Sequence, residues 1–159
     1  MLKRHEVLIK QLADYRHEFL EAVSVIGEEE ADVIPEGYQD NIRWHMEHVY
    51  VNQYLWIQHL TKEEIVMPRN FIKWFGFGTS PLDWEEEIPS LDYLKRLLAI
   101  QPFMIRDLYG ERLEEQYPTT ESGIHTIAQV LVRTIHHEGI HLGNIQAIKR
   151  AISASKVYD

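Results

Sequence analysis

Four long segments of this 159-residue chain repeat their apolar residues every three or four positions. That spacing places the apolar side chains on one face of an α-helix. The segments span residues 2–26, 40–60, 91–109 and 124–153, with Asp40 and Ser90 as the expected N-caps of the second and third helices. Pro102 lies inside the third segment and predicts a kink or break there. The sequence therefore predicts an all-α fold, a four-helix bundle.

The stretch between the second and third helices, residues 61–90, is too long and too aromatic to be a solvated linker. We expect it to pack over one end of the bundle, with a substrate or dimer contact as the sharper alternative. One long crossover in this place predicts an up-down-down-up bundle that forms a single domain over residues 1–159. The aromatic residues of the crossover are Phe71, Trp74, Phe75, Phe77 and Trp84.

Composition excludes several classes of function. The net charge of −9 argues against a nucleic-acid partner, because phosphate binding requires clustered Lys and Arg. The absence of cysteine excludes disulfides, thiolate metal sites and a cysteine nucleophile. The N-terminal segment carries charges throughout, so it predicts neither a signal peptide nor a membrane span, and we expect a cytoplasmic location.

The histidines point to chemistry. His137 and His141 lie four residues apart on the inward side of the predicted fourth helix, which is the spacing of two ligands to one metal ion. His45 and His48 lie on the inward side of the second helix, opposite its polar side. One of them would complete a set of three nitrogen ligands with an open position, as catalytic metal sites have. Spacing alone does not choose between His45 and His48, and the plain alternative is core histidines bonded to their neighbours. The polar side of the second helix carries Arg43, Glu47, Tyr50, Tyr54 and Gln58.

Glu138 and His136 lie beside this pair and allow two other interpretations. His137 to His141 match the H-E-x-x-H pattern in which Glu is the general base of a zinc protease, but so short a pattern often arises by chance. Glu138 on the inward side could instead support a ligand or carry a proton. A histidine phosphotransfer role for His136 is disfavoured, because Arg133 is the single cationic residue near it in the sequence.

Two segments carry a family resemblance. Residues 41–53 (NIRWHMEHVYVNQ) and 137–150 (HEGIHLGNIQAIKR) resemble the signature segments of the DinB-like superfamily, bacterial proteins that include the YfiT-like members of bacilli. The resemblance implies a four-helix bundle with a long crossover, a homodimer, and a metal site with one His from the second helix and an H-x-x-x-H pair from the fourth. Carried over to this sequence, the ligands are His48, His137 and His141, with His45 as the neighbour that matches less well.

The same resemblance implies a metal-dependent enzyme acting on a small molecule. Members of the superfamily are described as hydrolases or as transferases of a low-molecular-weight thiol, and a metal held by three imidazoles can activate either thiol or water. We expect one divalent ion per chain, zinc or nickel first, with manganese or iron as alternatives. Glu138, Asn52 and Tyr50 are the candidates for acid–base work. A non-enzymatic, metal-stabilised binding or stress-response module is the alternative.

Overall fold

The computed structural model describes residues 1–157, and the regular structure within that range is entirely helical, so the predicted all-α class is confirmed. The four long helices lie where the apolar periodicity predicted them. Two short helices occupy stretches that the sequence reads as turn and crossover. The helices are α1 (Lys3–Val23), α2 (Glu28–Ala31), α3 (Ile42–Thr61), α4 (Phe71–Phe75), α5 (Leu91–Tyr109) and α6 (Ile127–Ser155), with a 3-10 turn at Pro81–Asp83.

The helix ends follow their capping residues. Asn41, and not Asp40, caps α3, because the Asn41 side-chain oxygen accepts a hydrogen bond from the Trp44 main-chain N–H at 2.8 Å. Ser90 caps α5 as predicted, and α5 continues through Pro102 without a break. The start of α6 lies later than predicted, because Thr126 forms a capping box with Gln129.

The helix α3 lies at the centre of the packing. It contacts α6 most extensively and also contacts α2, α4 and α5, while α1 contacts α5 and α6. Every residue from 41 to 51 is buried as a result. The side of α3 that carries Arg43, Glu47 and Tyr50 was therefore wrongly expected to face outward, because α2, α4 and α5 cover it. The up-down-down-up order of the long helices remains a prediction.

The crossover packs onto α3 and is not a solvated linker, in line with its aromatic content, while its predicted place over one end of the bundle remains a prediction. Phe71, Trp74 and Phe75 are buried, and the Phe71 ring meets the Tyr50 ring of α3 edge to face. The indole N–H of Trp84 donates to the Trp74 carbonyl at 3.1 Å and closes the segment on itself. Phe77 is the exception, with 94% of its surface exposed. None of the helices in residues 1–157 combines the length and the apolar character that crossing a lipid bilayer requires.

Candidate metal centre

The two helices in most extensive contact bring three histidines together. His48 comes from α3, and His137 and His141 come from successive turns of α6. One ring nitrogen from each lies within 4.8 Å of the other two, and the Nε2 atoms of His137 and His141 are 3.0 Å apart. These three side chains form a group that could hold a metal ion.

Each of the three rings is fixed through its other nitrogen, Nδ1. The Nδ1–H of His48 donates to the Phe75 carbonyl at 2.7 Å. The Nδ1 of His137 lies 3.1 Å from the Asn52 side-chain amide, and the Nδ1 of His141 lies 2.8 Å from the Nδ1 of His45. Metal-binding histidines are usually held in this way, with one nitrogen bonded to a neighbour and the other free for the ion. His45 therefore supports His141, while His48 is the residue of α3 that joins the group.

The donor set fits a divalent ion. The Asn52 amide N–H donates to His137 Nδ1, so the proton of this neutral ring lies on Nε2 and points to the Nε2 of His141. A divalent ion would replace the proton between these two Nε2 atoms, because metal binding to histidine requires free ring nitrogens. Nitrogens at 2.0–2.1 Å from a tetrahedral metal ion are about 3.3 Å apart, which is close to the separation found here. Three neutral imidazoles suit zinc, nickel, iron or copper better than magnesium or calcium.

Burial keeps these rings neutral. Loss of hydration, together with the smaller effect of neighbouring histidines, lowers the pKa of His137 to about 4 and the pKa of His141 to about 2. Burial also lowers the pKa of His48, although the hydrogen bond to the Phe75 carbonyl partly opposes this shift. Burial lowers the pKa of His45 to about 4. At pH 7 each ring therefore has a lone pair available for a metal or a hydrogen bond.

The crossover is locked against this centre by Trp44. Its indole stacks on the His48 ring at 4.5 Å between centroids, and its N–H donates to the Thr79 hydroxyl oxygen at 2.9 Å. Thr79 in turn donates to the Gly76 carbonyl at 2.8 Å. A side chain at Gly76 would lie 2.5 Å from the Ile72 carbonyl oxygen, so glycine allows the chain to turn sharply after Phe75. The turn leaves the Phe75 carbonyl aimed at His48.

Two cavities reach the histidines, and Phe77 lines both of them. The first, which we name the α3–α6 cavity, has a volume of about 440 Å³, and the second, the crossover cavity, has about 460 Å³. His48 and His137 also line both cavities. The α3–α6 cavity adds Asn52, Leu55, Trp56, His59 and Arg133, and the crossover cavity adds Gln39, Asp40, Trp44, Gly78, Thr79, Ser80 and His141.

Comparison with known proteins identifies the family. Residues 11–145 match the family model of the DinB superfamily, which is most of the chain. The chain belongs to the DinB superfamily. This membership confirms the resemblance drawn from residues 41–53 and 137–150, and both histidine-bearing segments lie wholly or largely within the match.

A second similarity is more limited. The chain is 25% identical over 89 residues to the protein translocase subunit SecA of Rickettsia bellii (strain OSU 85-389), and equally to that of strain RML369-C. The aligned part is 54% of this chain and 10% of each SecA protein. The chain thus spans about a tenth of the length of these curated relatives, and translocation remains a property of those proteins.

In this DinB superfamily member, one of the three predicted acid–base residues lies beside the candidate metal centre. Asn52 lies against His137. Glu138 instead accepts two hydrogen bonds from Arg16, at 2.6 and 3.2 Å, and lines neither cavity at the histidines. Tyr50 lies in the core against Tyr54, outside both cavities. At about 100° per residue, Tyr50 points roughly 200° away from His48, and Glu138 points about 100° away from His137.

Sequence reasoning missed four contributions to the site. Asp40 was assigned as a helix cap, but Asn41 fills that position and Asp40 lines the crossover cavity, where burial raises the pKa of its carboxyl. Arg133 lies one turn before His137, a spacing that could have placed it on the same face. The support that His45 gives to His141 and the Phe75 carbonyl bond depend on tertiary packing, and the sequence carries no signal for them.

Proposed function

We propose that this protein is a metal-dependent enzyme that binds one divalent ion through His48, His137 and His141 and acts on a small molecule. Within that role we propose transfer of a low-molecular-weight thiol, or hydrolysis, as the reaction. The observation that carries the proposal is the convergence of one ring nitrogen from each of the three histidines, on rings whose Nδ1 atoms each have a separate partner. Zinc or nickel is the preferred ion, and manganese or iron is the alternative.

When bound, a divalent ion held by three imidazoles supplies a Lewis acid that lowers the pKa of a thiol or of water. The chain's own residues provide the setting for this chemistry. Asn52 orients His137, and Trp44 with the crossover holds His48 in place. Asp40 in the crossover cavity is the carboxylate placed to accept a proton from a substrate there, since burial brings its pKa above the ordinary value for an aspartate.

Two of the predicted acid–base residues take a different role in this proposal. Glu138 anchors the buried guanidinium of Arg16, so we assign it to holding α1 against α6 and not to proton transfer. Tyr50 belongs to the aromatic packing between α3 and α4. We also propose a single domain, a homodimer and a cytoplasmic location, on the grounds of the family and the charge of the chain.

The metal content of the purified, untagged protein tests the proposal. Plasma mass spectrometry should find about one divalent ion per chain in the wild type, and much less in His48→Ala and His137→Ala. His136→Ala is the matched control, because His136 is an exposed neighbour on the same helix and should keep the metal. A wild type that takes up no metal after incubation with zinc, nickel and manganese would contradict the proposal.

Turnover is tested next, with the metal-loaded protein and a panel of thiols, electrophiles and hydrolysable esters. Product formation that disappears in His48→Ala supports an enzyme. A filled metal site without turnover of any substrate class would favour the metal-stabilised binding module instead.

A further inference from the structure

We propose that the α3–α6 cavity selects substrates with an anionic group, which Arg133 binds while the reacting group reaches His48, His137 and His141. This inference rests on the proposed function and names its substrate class. The substrate would be a small thiol, or another metal-binding molecule, with a carboxylate separated from the reacting group by a short spacer.

Within residues 1–157, the α3–α6 cavity is lined by basic and not by acidic side chains. The chain has 25 Asp and Glu against 16 Lys and Arg, and yet no acidic side chain is among the described residues that line this cavity. Its ionisable lining consists of Arg133 and three histidines. Glu121 reaches the rim by bonding to His59 at 3.0 Å, but it does not line the cavity. A bound divalent ion would add to this positive potential, so the cavity favours an anion in an otherwise acidic protein.

Arg133 is held by stacking and has no carboxylate partner in residues 1–157. Its guanidinium carbon lies 4.2 Å from the centre of the Trp56 ring, and no carboxylate in residues 1–157 lies within salt-bridge distance of it. Stacking on the indole uses the face of the guanidinium. Its N–H groups point outward in the plane of the guanidinium and stay available to an acceptor. A carboxylate can accept two of these N–H groups side by side.

The helix geometry places Arg133 and His137 at one cavity. Arg133 and His137 are four residues apart on one face of α6, and both line the same cavity of about 440 Å³. One small molecule can therefore contact the guanidinium of Arg133 with its carboxylate and the histidines with its sulfur. A bulky thiol without a charge would fill the cavity but leave Arg133 without a partner.

The test uses the full-length protein loaded with cobalt(II), whose absorption band with a bound thiolate reports binding directly. The probes are 3-mercaptopropionate and its neutral analogue 3-mercaptopropionamide, titrated into wild type, Arg133→Gln, Arg133→Lys and Arg150→Gln. The ratio of the two dissociation constants is compared between variants, so that the different acidities of the two thiols cancel. Arg150 is the matched control, because it is an exposed arginine of α6 outside the cavity.

We expect the preference for 3-mercaptopropionate to fall about tenfold or more in Arg133→Gln, to survive in part in Arg133→Lys, and to be unchanged in Arg150→Gln. An equal preference in Arg133→Gln and wild type would overturn this inference and leave the metal site intact. Absence of a thiolate band with either thiol would also overturn it. Failure of the wild type to take up cobalt, zinc or nickel would overturn the proposed function together with it.

Discussion

Two clusters of buried polar side chains lie against the same pair of helices, and they differ in how their hydrogen-bonding groups are used. The first is the Arg16 cluster, in which a guanidinium with 1% exposure donates to an acceptor from each of its five N–H groups. The second is the histidine centre, in which each Nδ1 has a partner and one ring nitrogen from each of the three histidines converges on the others. The acceptors around Arg16 are both Glu138 oxygens, the Leu98 carbonyl, and the side-chain oxygens of Gln53 and Gln101.

This difference separates structural from functional burial. A buried polar group stabilises a fold when all its bonds are made within the protein, and the Arg16 cluster meets that condition. In the histidine centre, two Nε2 atoms share one proton at the meeting point of two cavities, and a metal ion arriving through either cavity would replace that proton. Glu138 and His137 are neighbours in sequence but belong to different clusters. For that reason the H-E-x-x-H pattern does not place its glutamate beside the candidate ligands.

The largest expected effect is on the free energy of unfolding and comes from breaking the Arg16 cluster. Replacing Arg16 with Met leaves the Glu138 carboxylate buried without its partner, so we expect a loss of about 3–5 kcal/mol in the free energy of unfolding. Urea unfolding followed by circular dichroism measures it. His141→Ala, measured without metal, should lose much less stability while losing metal binding.

Two further variants sharpen that comparison. Arg16→Met combined with Glu138→Leu removes both charges, so the double variant should be more stable than the single one. Arg150→Met removes an exposed arginine of α6 and should change the free energy of unfolding by no more than about 0.5 kcal/mol. A single Arg16→Met variant as stable as the wild type would show that the Arg16 cluster does not stabilise the fold.

The next largest effect is on metal affinity and comes from removing His45, which holds the candidate ligand His141 in place. His45→Ala removes the acceptor that holds the Nδ1–H of His141, and loss of such a partner weakens metal affinity by about 10–100-fold. Competition with a chromophoric zinc chelator measures it. His45→Gln offers a side-chain oxygen in the same region and should restore part of the affinity, and His59→Ala, on the exposed end of α3, should have no effect. Abolished binding in His45→Ala, with His48→Ala unaffected, would instead make His45 the ligand from α3.

Much of this molecule could be predicted from local sequence. Apolar periodicity located the four long helices, because each buries one face against the others. The spacing of His137 and His141 placed two rings together, since residues four apart share a helix face. The choice of His48 over His45 came from the family resemblance and not from spacing, because both point toward the core.

The parts that could not be predicted depend on which element covers which face. Polar residues in the first half of α3, such as Arg43 and Glu47, read as a solvent face, but α2 and the crossover bury them. Arg43 is satisfied there by Asp32 at 2.6 Å and by Glu28, residues that the sequence reads as part of an acidic turn. The role of Glu138 was hidden for the same reason, since Arg16 lies 122 positions away in the chain.

The smallest expected effect concerns Glu47, a buried carboxyl group that belongs to neither cluster. It is completely buried, and neither carboxyl oxygen has a hydrogen-bond partner in residues 1–157. Burial raises the pKa of Glu47 well above 4.5, although the charges of Arg16 and Arg43 oppose the shift. A folded-state pKa above the unfolded value means that the folded protein holds the proton more tightly. The contribution of Glu47 to the stability of the wild type therefore falls as the pH rises above about 4.5.

Glu47→Gln removes this titration and keeps the shape of the side chain. We expect the variant to gain stability relative to the wild type between pH 5 and pH 7, by about 1 kcal/mol at pH 7, with the gain shrinking toward pH 4.5. Urea unfolding of both proteins at several pH values, in the presence of a chelator, measures the difference while excluding metal effects. Glu18→Gln, an exposed glutamate of α1, is the control and should show no such trend. A variant less stable than the wild type at pH 7 would mean that the Glu47 carboxylate is ionised and stabilised by the two arginines. Glu47 would then belong with the closed Arg16 cluster.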